Sequence, residues 1–266
     1  MQPLNETKSK MPKQGDARSP RKQDQVGSPA KKAKVGSPTK AASSPRKASS
    51  SANAKLHSYW RSSCSWRVRI ALSLKDIPYD YVPINLLKGE QVSDEFGAVN
   101  PNKRVPTLEI DGHVLNQSGA IIEYLEETHP EPALLPSDPF ARAQVRNLVG
   151  IIGCDIQPVQ NLAVLKRAAV KLPAADQAAE KIAWGHEWIE RGFDVLEEEL
   201  KKTAGVYSVG DSITIADLYL EPQVYNANRF KVNMDKYPTI ARIQAALAAL
   251  PAFKASHPSA QPDATE

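Results

Sequence analysis

Apolar residues return along this chain at two spacings, and where each spacing starts and stops marks out the elements. LHSYW (56–60) reads as a short strand. In the SSCSWRVRIALSLK that follows, Val68, Ala71, Leu72 and Lys75 fall on one helical face and Ile70 and Leu74 on another, which predicts a helix covered on most sides and ending before Ile77-Pro78. Asp80 to Leu86 alternates Val82, Ile84 and Leu86 as a strand, and a short helix is expected around Ser93 to Val99. VPTLEI and HVLN are two strands joined by Asp111-Gly112, a pair whose ready access to positive φ permits a tight hairpin turn. A helix from Ser118 to about Thr128 buries Ile121, Ile122 and Leu125 and stops at His129-Pro130-Glu131-Pro132.

Beyond that point the pattern is helical. Ile182, Ile189, Phe193, Leu196 and Leu200 keep a 3.6-residue period, and TIADLYLEPQVYNANRF and PTIARIQAALAAL carry similar stripes. Thr214-x-x-Asp217 has the form of a capping box, which makes Asp217 a structural acid rather than a catalytic one. The order strand, helix, strand, helix, hairpin, helix predicts an α/β domain over 55–132 with a four-stranded mixed sheet, followed by an all-helical domain over 137–266.

Composition changes the picture only ahead of these elements. Residues 1–54 contain no Ile, Phe, Trp, Tyr or Cys and carry 12 Lys and Arg against 3 acids. Their net +9 exceeds the formal +4 of the whole chain, so the remainder is acidic, at −5. Such a segment buries too little apolar surface to offset its ordering entropy, and a disordered basic tail is expected. Within it Ser-Pro-x-Lys recurs at Ser19, Ser28, Ser37 and Ser44, a pattern that suits proline-directed kinases and resembles linker-histone tails. AKKAKV (30–35) has the look of a nuclear-import signal, and flexible Lys and Arg would meet nucleic acid through phosphates, without sequence choice.

Two cysteines 90 positions apart make no disulfide framework, and the five histidines show no metal-ligand spacing. A reducing compartment and no metal are expected. No run of 18 apolar residues exists and no apolar leader core opens the chain, so a soluble, cytoplasmic protein is expected, with a nuclear pool available through the tail.

The chemistry concentrates where the first strand hands over to its helix. Ser62, Ser63, Cys64 and Ser65 set three hydroxyls and a thiol at a helix N-terminus, where partial positive charge and hydroxyl donors both favour a thiolate. Cys64 itself is a weak candidate for a redox nucleophile, because Cys64-Ser-Trp-Arg67 lacks a second cysteine. Pro106 directly before a strand cannot donate to a ladder; it is either an ordinary edge proline or part of a cis Val105-Pro106 bond that turns the backbone of Val105 outward.

Taken together, SSCSWRVRIAL, NLLKGE, NPNKRVPTLEIDG, QSGAIIEYLEETHP, QPVQNLAVLK, GDSITIADLYL and NRFKV resemble the glutathione transferases, and more narrowly the zeta class, the maleylacetoacetate isomerases. The likeness runs over nearly all of 55–266 and leaves the tail out. It implies a thioredoxin-like first domain and glutathione as cofactor, with the reactive sulfur being the cofactor's. Ser62 is then the stabilising hydroxyl, Ser63 the second choice, and Cys64 a residue that shapes the site. Val105 would pair its backbone with the tripeptide, Ser118 and Gln117 would hold the γ-glutamyl carboxylate, and Gln91, Gln157, Asn161 and Leu162 would add contacts. Ala163 stands where better-known members carry serine, so a hydroxyl contact there is lost. Arg229 matches the family arginine that receives a substrate carboxylate, and Arg61 is a further candidate by position.

The implied reaction is addition of the glutathione thiolate to a conjugated cis double bond of a diketo acid, rotation, and elimination to the trans isomer. A side activity on small α-halo acids follows from the same parts, and a homodimer is expected from the family. Two competing readings are a general glutathione transferase or peroxidase and a non-catalytic module tethered by the tail.

Overall fold

The computed structural model of the chain describes residues 54–265. The tail with its Ser-Pro-x-Lys repeats and AKKAKV lies outside the described residues.

Four strands form a mixed sheet in the order β2-β1-β3-β4, with β1 at Ala54–Ser58, β2 at Tyr79–Pro83, β3 at Thr107–Ile110 and β4 at His113–Asn116. β1 pairs parallel with β2, Ala54 facing Tyr79, and antiparallel with β3, Leu56 facing Leu108. The β3–β4 hairpin turns at Asp111 (φ 53°) and Gly112 (φ 78°), the positive-φ pair that the dipeptide predicts. Three helices complete this half: α1 (Ser63–Leu74), α2 (Asp94–Val99) and α3 (Ser118–Thr128). Leu56, Val68, Leu72, Leu108, Ile121, Ile122 and Leu125 are fully buried in its core.

Two strands differ from the periodicity. β1 ends at Ser58 rather than Trp60, because the Tyr59 carbonyl accepts from Ser62 N–H and the Trp60 N–H donates to Asp263; the chain turns here into α1. β2 stops at Pro83 rather than Leu86. Asn85 Oδ1 accepts from the N–H groups of Leu87 and Lys88, a local turn that competes with strand extension.

The second half is helical: α4 (Pro139–Gly150), a π-helical turn at Ile151–Ile156, α5 (Leu162–Ala169), α6 (Gln177–Thr203), α7 (Ile215–Arg229), α8 (Pro238–Ala248) and α9 (Pro251–Ser256). α1 packs on α7 and α9 as well as α3, which explains a helix covered on most sides. Asp217 accepts from the N–H groups of Thr214 and Ser208 and from Thr214 Oγ1, closing the predicted capping box.

Two buried cations, Arg69 in α1 and Lys75 at its C-cap, hold neighbouring elements to that helix, and Arg69 reaches the helical half through Ser256. Lys75 Nζ donates to Glu126 Oε2 (2.8 Å) and to the carbonyls of His129 and Pro132, at the stop that the sequence marks after α3. Arg69 is fully buried and donates to Ser58 Oγ and to the Ser256 and Trp60 carbonyls; desolvation lowers its pKa to about 10.

Candidate active site

Ser62 is the N-cap of α1. Its Oγ accepts from Ser65 N–H at 3.2 Å, and its carbonyl accepts from Trp66 N–H at 2.9 Å. Ser62 therefore starts the helix and stands at its positive end at once.

Two cavities meet at this residue. The larger, about 320 Å³, is walled by Ser62, Cys64, Gln91, Val105, Gln117, Ser118, Gln157, Asn161 and Leu162. The smaller, about 140 Å³, is walled by Ser62, Ser63, Arg61 and Arg229, and shares Gln157, Asn161 and Leu162 with the first. Every residue given a site role by the resemblance lies on one wall or the other, although they come from positions 61 to 229; Ser65, the third hydroxyl of the cap, is fully buried and lines neither cavity.

Several local devices put them there. The Val105-Pro106 bond is cis. Asn100 Nδ2 donates to the Arg104 carbonyl (2.7 Å) and to Thr107 Oγ1 (2.9 Å), and so holds the loop that carries Val105. Gln117 sits at φ 71°, an unfavourable region for a non-glycine residue that costs roughly 1–3 kcal/mol; it swings the chain from β4 into α3. The π-helical turn Ile151–Ile156 delivers Gln157, and Asn161 caps α5 through Ala163 N–H at 2.9 Å. In the smaller cavity Arg229 Nη1 donates to Asn226 Oδ1 at 3.3 Å, and Arg61 lies over the Trp60 ring.

Unpaired polar atoms gather around the larger cavity. Gln91 Oε1 is buried without a partner. The N-cap of α3 makes no side-chain hydrogen bond, leaving first-turn N–H groups uncapped beside Ser118. Arg67, 3% exposed, leaves Nε and Nη2 unpaired just behind Ser118. These groups fit a peptide-like ligand with an anionic end, which the donors at a helix N-terminus suit. Among the described residues no group of three or more His, Cys, Asp or Glu could hold a metal ion, and no helix is long and apolar enough to cross a membrane.

Sequence reasoning passed over Lys103, Arg104 and Lys166 on the larger cavity and Gln160 and Asn226 on the smaller. All five lie inside stretches already quoted, Lys103 and Arg104 in NPNKRVPTLEIDG, Gln160 and Lys166 in QPVQNLAVLK and Asn226 in TIADLYLEPQVYNANRF, but only the tertiary fold says which side of a loop or helix faces a cavity.

A thioredoxin-like domain with a cis-proline loop, its first helix cap opening on a cavity closed by an all-helical half, defines the class of the glutathione transferases. Comparisons agree. The model for the glutathione S-transferase N-terminal domain matches residues 56–133, and that for the C-terminal domain matches 165–255. The chain is 54% identical over 210 residues to the maleylacetoacetate isomerase of Rattus norvegicus, covering 78% of this chain and 94% of that protein. With the maleylacetoacetate isomerase of Dictyostelium discoideum it shares 52% identity over 211 residues, 79% of this chain and 95% of that protein. A solved maleylacetoacetate isomerase from Anaeromyxobacter dehalogenans, with glutathione bound in its active site, matches with a TM-score of 0.72 and 46% identity over 80% of this chain and 98% of that one. The chain belongs to the glutathione S-transferase family, in its zeta class of maleylacetoacetate isomerases.

Proposed function

We propose that this chain is a glutathione-dependent isomerase that converts maleylacetoacetate to fumarylacetoacetate, a step of phenylalanine and tyrosine catabolism, with a side activity on small α-halo acids. One observation carries the reading: Ser62 stands on the wall shared by both cavities, so a group held in the first can reach a substrate in the second. Bound glutathione supplies a thiolate that reversibly saturates the conjugated double bond and is regenerated.

The residues of the chain then do four things. Ser62 Oγ already accepts from Ser65 N–H, so its own proton is left to donate toward an anion at the cap, with Ser63 as second donor and Cys64 lining the wall. Val105, Gln91, Gln157, Asn161 and Leu162 line the space for the tripeptide, and Gln117 and Ser118 receive its γ-glutamyl carboxylate at the N-terminus of α3. Arg229, steadied by Asn226, and Arg61 offer planar donors to the carboxylates of a dianionic substrate. The helical half closes over both spaces.

The protein works as a homodimer in the cytoplasm, and its basic tail offers kinase sites and a weak hold on nucleic acid. The deciding experiment supplies maleylacetone with catalytic glutathione and follows the trans product. Turnover with glutathione unconsumed is expected; a rate independent of glutathione would overturn the reading.

A further inference from the structure

Arg67 projects from α1 into the interior and is 3% exposed. Its Nη1 donates to Ser118 Oγ at 3.3 Å, and its guanidinium carbon lies 3.8 Å from the centre of the Tyr219 ring. Nε and Nη2 have no partner, and no described ion pair includes this residue. Arg69, two residues on and equally buried, shows the contrast: it is met by hydroxyl and carbonyl oxygens. A buried cation without a counter-charge is costly, and a ring face returns only part of that cost. The ring is itself held in place. A Cβ at Gly119 or at Gly153 would lie 3.1 Å from Tyr219 atoms, so both glycines let it approach α3 and the π-helical turn closely.

What Arg67 faces is the start of α3, where Gln117 provides no side-chain cap and Ser118 opens on the larger cavity. We propose that Arg67 is a positioning residue for Ser118 and the buried counter-charge of the γ-glutamyl carboxylate of glutathione. By donating to Ser118 Oγ it occupies an acceptor lone pair and leaves the hydroxyl proton for the ligand. Its charge then adds to the partial charge of the uncapped N–H groups. The counter-charge missing from the protein is thereby brought by the ligand. This assignment rests on the glutathione reading above.

The test compares glutathione with γ-aminobutyryl-cysteinylglycine, which lacks only that carboxylate, by calorimetric titration of the full chain and its Arg67→Met variant. Arg67→Met should weaken glutathione about 10- to 100-fold and the analogue less than about threefold. In turnover the KM for glutathione should rise while kcat at saturation holds. Arg67→Lys keeps a charge but not the planar fork, and should lose about three- to tenfold for glutathione alone; it serves if Arg67→Met does not fold. Equal weakening of both ligands, or unchanged glutathione affinity in whichever variant folds, overturns the assignment. Wild-type protein that binds neither ligand would sink the glutathione reading along with it.

Discussion

Replacing Ser62 by alanine removes one oxygen that serves two ends, and the structure lets their sizes be worked separately. As N-cap it accepts from Ser65 N–H; losing a cap costs about 1 kcal/mol, or roughly 2–4 °C in Tm for a body of this size. As the donor at the wall between the cavities it faces developing negative charge, where one such group is typically worth about 2.7–4 kcal/mol, a 100- to 1,000-fold loss in kcat/KM. A loss of 1 kcal/mol from a stability of about 5–15 leaves the protein folded, so instability cannot account for the rate. Ser62→Asp separates the two further: aspartate caps as well as serine but opposes an anion, so Tm should return while the rate stays low. The assays are thermal melting, glutathione-dependent isomerisation of maleylacetone, and the ultraviolet absorbance of bound thiolate against pH. In Ser62→Ala the bound thiol should titrate closer to the free value of about 8.5. A variant that loses only its few degrees of Tm, with rate and titration within about threefold of wild type, would refute the reasoning and pass the donor role to Ser63.

Three further outcomes follow from named contacts. Glu221 in α7 is buried with Oε2 unpaired, and desolvation raises its pKa to about 7. The native state therefore holds a proton that the unfolded chain releases near 4.5. The stability tied to that proton is present below about pH 4.5 and lost as pH rises to about 7, by up to about 3 kcal/mol; Glu221→Gln should melt higher than wild type at pH 8 and lose its advantage at pH 5. Asp217→Ala strands two buried N–H groups and a hydroxyl, so denaturant unfolding should show a loss of about 3–5 kcal/mol. Arg229→Leu should raise the KM for maleylacetone and cut kcat/KM about 10- to 150-fold, while glutathione affinity measured by titration stays near wild type.

Pattern and turn chemistry made most of this molecule legible. The Asp111-Gly112 hairpin, the Thr214–Asp217 box, the serine-rich cap of α1 and the 3.6-residue stripes are local matters, set by φ preference, by short side chains reaching their own backbone and by which face is apolar. The strand ends at Ser58 and Pro83 were not legible, because Asp263 and the Asn85 turn decided them through competing hydrogen bonds. Nor were the buried arginines: a helix covered on most sides was legible, but no spacing singles out Arg67 or Arg69, and only packing of α1 against α3, α7 and α9 puts both charges in the interior.

Alone, then, the chain's order of residues determined which segments are strands and helices, where the hydroxyl-rich cap falls, and the family whose motifs it carries. Tertiary structure decided that Ser62 belongs to two cavities at once and that Arg67 stands uncompensated behind Ser118. Periodicity is a property of neighbours along the chain. Burial of a charge, and the meeting of walls drawn from positions 61 to 229, depend on elements distant in sequence closing on one another, which no local spacing encodes.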